Sequence, residues 1–136
     1  TGTDGSALAR PKATLLRMSR RHFLSPLTSG GCADWSLAVL GRDLPLARQL
    51  ECAFDSTARR RGLLGRDSLA DDAALIIAPS SAVHTFRMRF PIDVVFAARD
   101  GRVLHVAQGL KPGRVAFAIR AFAVVELASG AVARAG

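Results

Sequence analysis

A chain of 136 residues, 49% of them hydrophobic, is one domain of ordinary size with enough apolar side chain for a real core. No apolar run approaches the roughly 18 residues that a membrane-crossing helix needs, and two cysteines, Cys32 and Cys52, are too few for a disulfide framework or a tetrahedral zinc site. The net charge of +8 rests on 19 cations, all arginine except Lys12 and Lys111; Tyr is absent and Trp35 is the lone tryptophan, which argues against an aromatic base-stacking platform.

In chain order, residues 1–34 lack sustained periodicity and are rich in Gly, Ser, Thr and Pro. Arg10, Lys12, Arg17, Arg20 and Arg21 against Asp4 and Asp34 leave this stretch at +3. It reads as a flexible basic leader, with a single β-rich domain over 35–136. Arg20-Arg21 has the form of a twin-arginine export signal, but Ser-Pro-Leu-Thr-Ser-Gly-Gly follows instead of an apolar segment. A cytoplasmic location is therefore expected.

Residues 36–40 read as a short strand, 41–43 as a turn, and 44–54 as a second strand, together a hairpin. Asp55, Ser56 or Thr57 can accept the free amides of a helix that runs to Leu64 and stops at Gly65. Arg59, Arg60 and Arg61 ride on that helix and read as a solvated face. Residues 73–78 form a short apolar run, hence a buried strand.

The stretch 83–96 carries the strongest pattern. Its first half alternates, with His84, Phe86, Met88 and Phe90 on one side and Thr85, Arg87 and Arg89 on the other, which predicts a half-buried strand. Pro91 interrupts backbone donation. Ile92 to Phe96 is apolar on both faces except for Asp93, as in a core strand that holds one carboxylate. Arg99-Asp100-Gly101 predicts a hairpin turn joining 92–98 to 102–108, and Pro112-Gly113 fits the centre of a type II turn. Residues 115–119 and 121–128 follow as strands, and 129–136 reads as a frayed end. The sum is an α+β domain, β-rich, with a mostly antiparallel sheet or small barrel of about seven or eight strands and one principal helix.

Arg61-Gly62-Leu63-Leu64-Gly65-Arg66, Leu69, His84-Thr85-Phe86, Met88, Phe90 to Phe96, Asp100-Gly101 and Val125-Glu126-Leu127 with Gly130 occur in that order. This ordered set resembles the bacterial and archaeal family known as domain of unknown function 192, over roughly 44–130. The resemblance implies a compact β-rich domain with one helix and no established activity. The loop usually written Pro-Trp-Arg in that family is Pro112-Gly113-Arg114 here, and Ser80-Ser81 stands where a cysteine often precedes the His-Thr pair.

Three functions compete. The first is a non-catalytic binding or accessory module for an anionic ligand or a protein partner, using His84, Arg87, Arg89, Lys111 and Arg114. The second is a hydrolase or lyase that pairs His84 with Asp93 or Glu126. Asp93 and Glu126 also read as buried structural charges, with Arg61 or Arg66 as helix-borne partners. The third, nucleic-acid binding, rests on charge alone and is disfavoured. A His84–Asp93–Glu126 metal site ranks below a lone core histidine, so no metal and no cofactor is expected.

Overall fold

The computed structural model describes residues 7–11, 23–25, 27, 32, 35–39 and 45–135. Strands β1 (Ala7–Pro11) and β2 (Trp35–Val39) form one antiparallel ribbon. The main sheet contains β3 (Gln49–Ala53), β4 (Ala73–Ile77), β6 (Ile92–Ala97), β7 (Val103–Leu110) and β9 (Ala123–Ala128) in the order β3-β4-β9-β6-β7. A second ribbon pairs β5 (Ala82–His84) with β8 (Val115–Phe117). Two short helices, α1 (Ser56–Arg61) and α2 (Ala131–Ala135), complete the described elements. The domain is β-rich α+β with open sheets rather than a closed barrel.

The two central strands, β6 and β9, are buried along their whole length, because both faces of the sheet are covered. Side chains alternate across a strand, so the sheet divides the core into two layers. Ile76, Val95, Val125 and Leu127 pack on one face with Leu24, Leu27, Leu37 and Ala131. Leu75, Val94, Phe96 and Val124 pack on the other with Leu63 of the segment after α1 and with Val83, Met88 and Ala116 of the second ribbon region. Each such buried aliphatic or aromatic side chain contributes about 1.5–3 kcal/mol of transfer free energy.

Asp55 caps α1, its Oδ1 accepting the Ala58 amide at 2.8 Å, and Gly62 at φ 47 ends it. The expected turn at 99–101 is present: Ala98 donates to Arg102 O, Gly101 lies at φ 90, and β6 pairs antiparallel with β7.

Three expectations change. The hairpin between 36–40 and 44–54 is reduced to one antiparallel bridge, Leu37 with Ala47, and its turn lies outside the described residues. Instead β3 pairs in parallel with β4, since α1 carries the chain back to the same end of the sheet before β4 begins. The frayed end is in fact α2, with Ala131 buried in the core. Within the stretch read as a leader, residues 7–11 pair with β2, and Leu24 and Leu27 are buried. Arg20 and Arg21 lie outside the described residues.

The largest change concerns 84–90. The strand stops at His84, and Thr85 begins a turn in which Met88 N donates to Thr85 O and Arg87 sits at φ 64. Thr85, expected outward, is fully buried, while Phe86, expected inward, is half exposed. A distant partner overrides the local period. Thr85 Oγ1 donates to Lys111 O at 2.6 Å and accepts the Arg114 amide at 2.9 Å, and Gly113 N donates to Thr85 O. Thr85→Val keeps the shape but strands the Arg114 amide and the Lys111 carbonyl, and should lower unfolding free energy by about 2 kcal/mol in urea titration.

Candidate functional site

Glu126 lies on β9 opposite Val94 of β6, and Asp93 lies opposite Leu127. Neighbouring residues on a strand project from opposite faces, so the two carboxylates emerge on opposite sides of the sheet. Asp93 and Glu126 therefore do not share a site.

Asp93 is fully buried, and its partners among the described residues are backbone amides. Its Oδ1 accepts Gly109 N at 2.8 Å, and its Oδ2 accepts Gly130 N at 3.1 Å and Val132 N at 3.0 Å. Gly109 sits at φ 61 where β7 carries an extra residue between Ala107 and Leu110, and this bulge turns its amide inward. Gly130, at φ 92, does the same at the start of α2. Asp93 thus ties β6 to the β7 bulge and to α2, and no arginine among the described residues bonds to it.

Glu126 is the opposite case. It is 4% exposed, and its Oε2 has no hydrogen-bond partner among the described residues. Burial pushes its carboxyl up to about 7, with the nearby Arg66 guanidinium pulling the other way. Arg66 also donates to Glu51 at 2.6 Å, so that cation is shared between two acids.

Glu126 lies in the wall of a cleft of about 320 Å³, bounded by α1, Gly62, the Pro79–Ser80 turn and β5. Arg59, Arg60 and Arg61 of α1 and His84 of β5 are among its lining residues. Arg59 is anchored by a 2.7 Å hydrogen bond from Nη1 to Phe54 O, whereas Arg60 and Arg61 are exposed. His84 is exposed and stacks on Phe86 with ring centroids 5.1 Å apart. The arginine run, read from sequence as a solvated face, supplies a cleft wall. The same lining includes Glu126, some 65 residues later in the chain, and no local pattern announces that proximity.

The remaining sequence candidates lie elsewhere. Arg87 and Arg89 belong to the turn rather than to a strand face, and Arg89 is ion-paired with Asp67 at 2.6 Å. Lys111 and Arg114 are exposed on the loop tied to Thr85. Among the described residues no group of three His, Cys, Asp or Glu side chains converges on a metal position. Cys52 is half-buried, and burial raises its thiol well above the ordinary range, with the adjacent Cys32 adding to the effect. Cys32 itself donates to Leu50 O at 3.0 Å. No helix among the described residues is long and apolar enough to cross a membrane.

Two solved structures share the fold. A protein of unknown function from Novosphingobium aromaticivorans superposes with a TM-score of 0.61 at 25% identity, covering 78% of this chain and 74% of its own. A Sinorhizobium meliloti protein, assigned only provisionally as a transcription regulator, superposes with a TM-score of 0.58 at 24% identity, covering 62% of this chain and 71% of its own. No curated protein matches the chain. Residues 39–136 match the DUF192 family model, described as Uncharacterized ACR, and the chain belongs to that family.

Proposed function

We propose that this domain is a binding module for a small anionic molecule, with its site in the cleft between α1 and β5 rather than on a strand face. The observation that carries this reading is Glu126, which lines a cleft together with three arginines and whose buried Oε2 has no hydrogen-bond partner among the described residues. A buried polar atom left unpaired costs free energy, and a ligand that donates a hydrogen bond to it removes that cost. The fitting ligand carries a phosphate or carboxylate for Arg60 and Arg61 and a hydroxyl or ammonium donor for Glu126.

A thermal-shift panel of inorganic phosphate, sugar phosphates and amino acids tests this. Ligand at about 100 times Kd should stabilise the native state by about 2.7 kcal/mol. One class should raise Tm at moderate salt, and the rise should vanish in the Arg60→Ala, Arg61→Ala double variant. A panel without a shift, or a shift indifferent to those substitutions, refutes the reading.

A second reading, acid–base catalysis, is favoured by the Glu126 carboxyl at about 7 with His84 in the same cleft. It requires turnover with a pH profile that Glu126→Gln abolishes. Asp93 has no part in it.

A further inference from the structure

The second ribbon presents an unusual outer face. Val83 and Ala116 point into the core, so Ala82, His84, Val115 and Phe117, which pair across the strands, point out. Phe86 stacks on His84 and extends the row at one end, and Ile119 follows two residues beyond Phe117 at the other. Exposure is 49% for Phe86, 58% for Val115, 63% for Phe117 and 87% for Ile119. Grouped apolar exposure of this kind marks an interaction surface.

The charge around it is one-sided. Residues 79–92 and 110–125, which build the ribbon and its turns, contain Arg87, Arg89, Lys111, Arg114 and Arg120 and no Asp or Glu. Arg89 is matched by Asp67, whereas the other four form no ion pair among the described residues. Two tight turns each present a large apolar residue followed by an arginine, Phe86-Arg87 after β5 and Ile119-Arg120 after β8.

We propose that this ribbon docks the protein on the surface of an anionic lipid membrane, without crossing it. Side chains that enter the acyl boundary next to arginines that meet anionic head groups are the two terms of peripheral membrane binding. A second copy of the chain fits poorly, because it would bring four further uncompensated cations against these four. Single-stranded nucleic acid would use the rings of Phe86 and Phe117 but leaves Val115 and Ile119, which cannot stack, without a role. The ribbon shares Ala82 and His84 with the Glu126 cleft, but the inference rests on Phe86, Val115, Phe117 and Ile119, which do not line it.

The test is co-sedimentation of the full chain with vesicles of phosphatidylcholine alone or mixed with phosphatidylglycerol, at low and high salt. Binding should need the anionic lipid and weaken with salt. Arg114→Gln and Arg120→Gln should each weaken it about fivefold. Phe117→Ser with Ile119→Ser should weaken it about tenfold or more, with Tm unchanged because both side chains are already exposed. Arg48→Gln, a charge change at the β3 edge beside Asp72, should bind as the parent does. No vesicle binding, equal binding to both compositions, or binding that survives both kinds of substitution overturns the proposal. Capture of a single-stranded oligonucleotide without vesicle binding also overturns it and assigns the ribbon to nucleic acid.

Discussion

Asp93→Ala is expected to lower the unfolding free energy by about 4 kcal/mol, enough to leave a domain of this size largely unfolded in modest urea. The substitution removes one buried carboxylate and strands three amides, those of Gly109, Gly130 and Val132. Each abandoned buried donor costs about 1–3 kcal/mol, and partial relaxation of α2 keeps the total below the sum. Asp93→Asn is the gentler variant. It retains one acceptor oxygen but turns an NH₂ toward an amide donor, for an expected loss of about 2 kcal/mol. Urea titration at fixed pH measures both. If Asp93→Ala instead costs less than about 1 kcal/mol, the carboxylate is not what holds β6, the β7 bulge and α2 together.

Glu126 should reveal itself through pH. Its carboxyl is raised from an ordinary 4.5 to about 7 in the folded state. Between those two values the unfolded chain has released the proton and the folded chain still holds it. The native state therefore binds more protons, and stability falls as pH rises through that window. Below about 4.5 this residue imposes no penalty, and above about 7 the penalty is constant. The shift corresponds to about 3 kcal/mol, at about 1.4 kcal/mol per pH unit. Glu126→Gln carries no charge, so its stability should exceed that of the parent by about 3 kcal/mol at pH above 7 and match it near pH 4. Arg66→Ala removes a cation that opposes the burial effect, and should extend the falling limb to higher pH. Parallel stability profiles for Glu126→Gln and the parent would mean the carboxyl is solvated and the cleft is not its environment.

The two carboxylates also show how far local pattern reaches. Both were legible as buried acids, because each interrupts a strand that is apolar on both sides. Their separate roles were not. Which face each acid takes follows from the β6–β9 register, and that register pairs Asp93 with Leu127 and Glu126 with Val94, each more than 30 positions away. The same limit applies to Thr85. The alternation around it is genuine in the sequence, but the hydroxyl and amides exchanged with 111–114 fold the segment into a turn and reverse which side chains are buried. The arginine run on α1 was legible as helix, and its place in a cleft wall was not, since other lining residues come from β5 and β9.

By itself the sequence determined what depends on neighbours along the chain. That comprises the two-sided core strands around Ile92–Phe96 and Val124–Leu127, the Asp55-capped helix, the 99–101 turn, and the ordered motif set that marks the family. Only the tertiary structure decided the parallel pairing of β3 with β4, the split of Asp93 and Glu126 between two faces, the cleft, and the bare apolar face of the second ribbon. The physical reason is common to all four. Propensity and period are set within a few residues, whereas register, sheet order and burial are set by contacts whose partners lie far away in sequence.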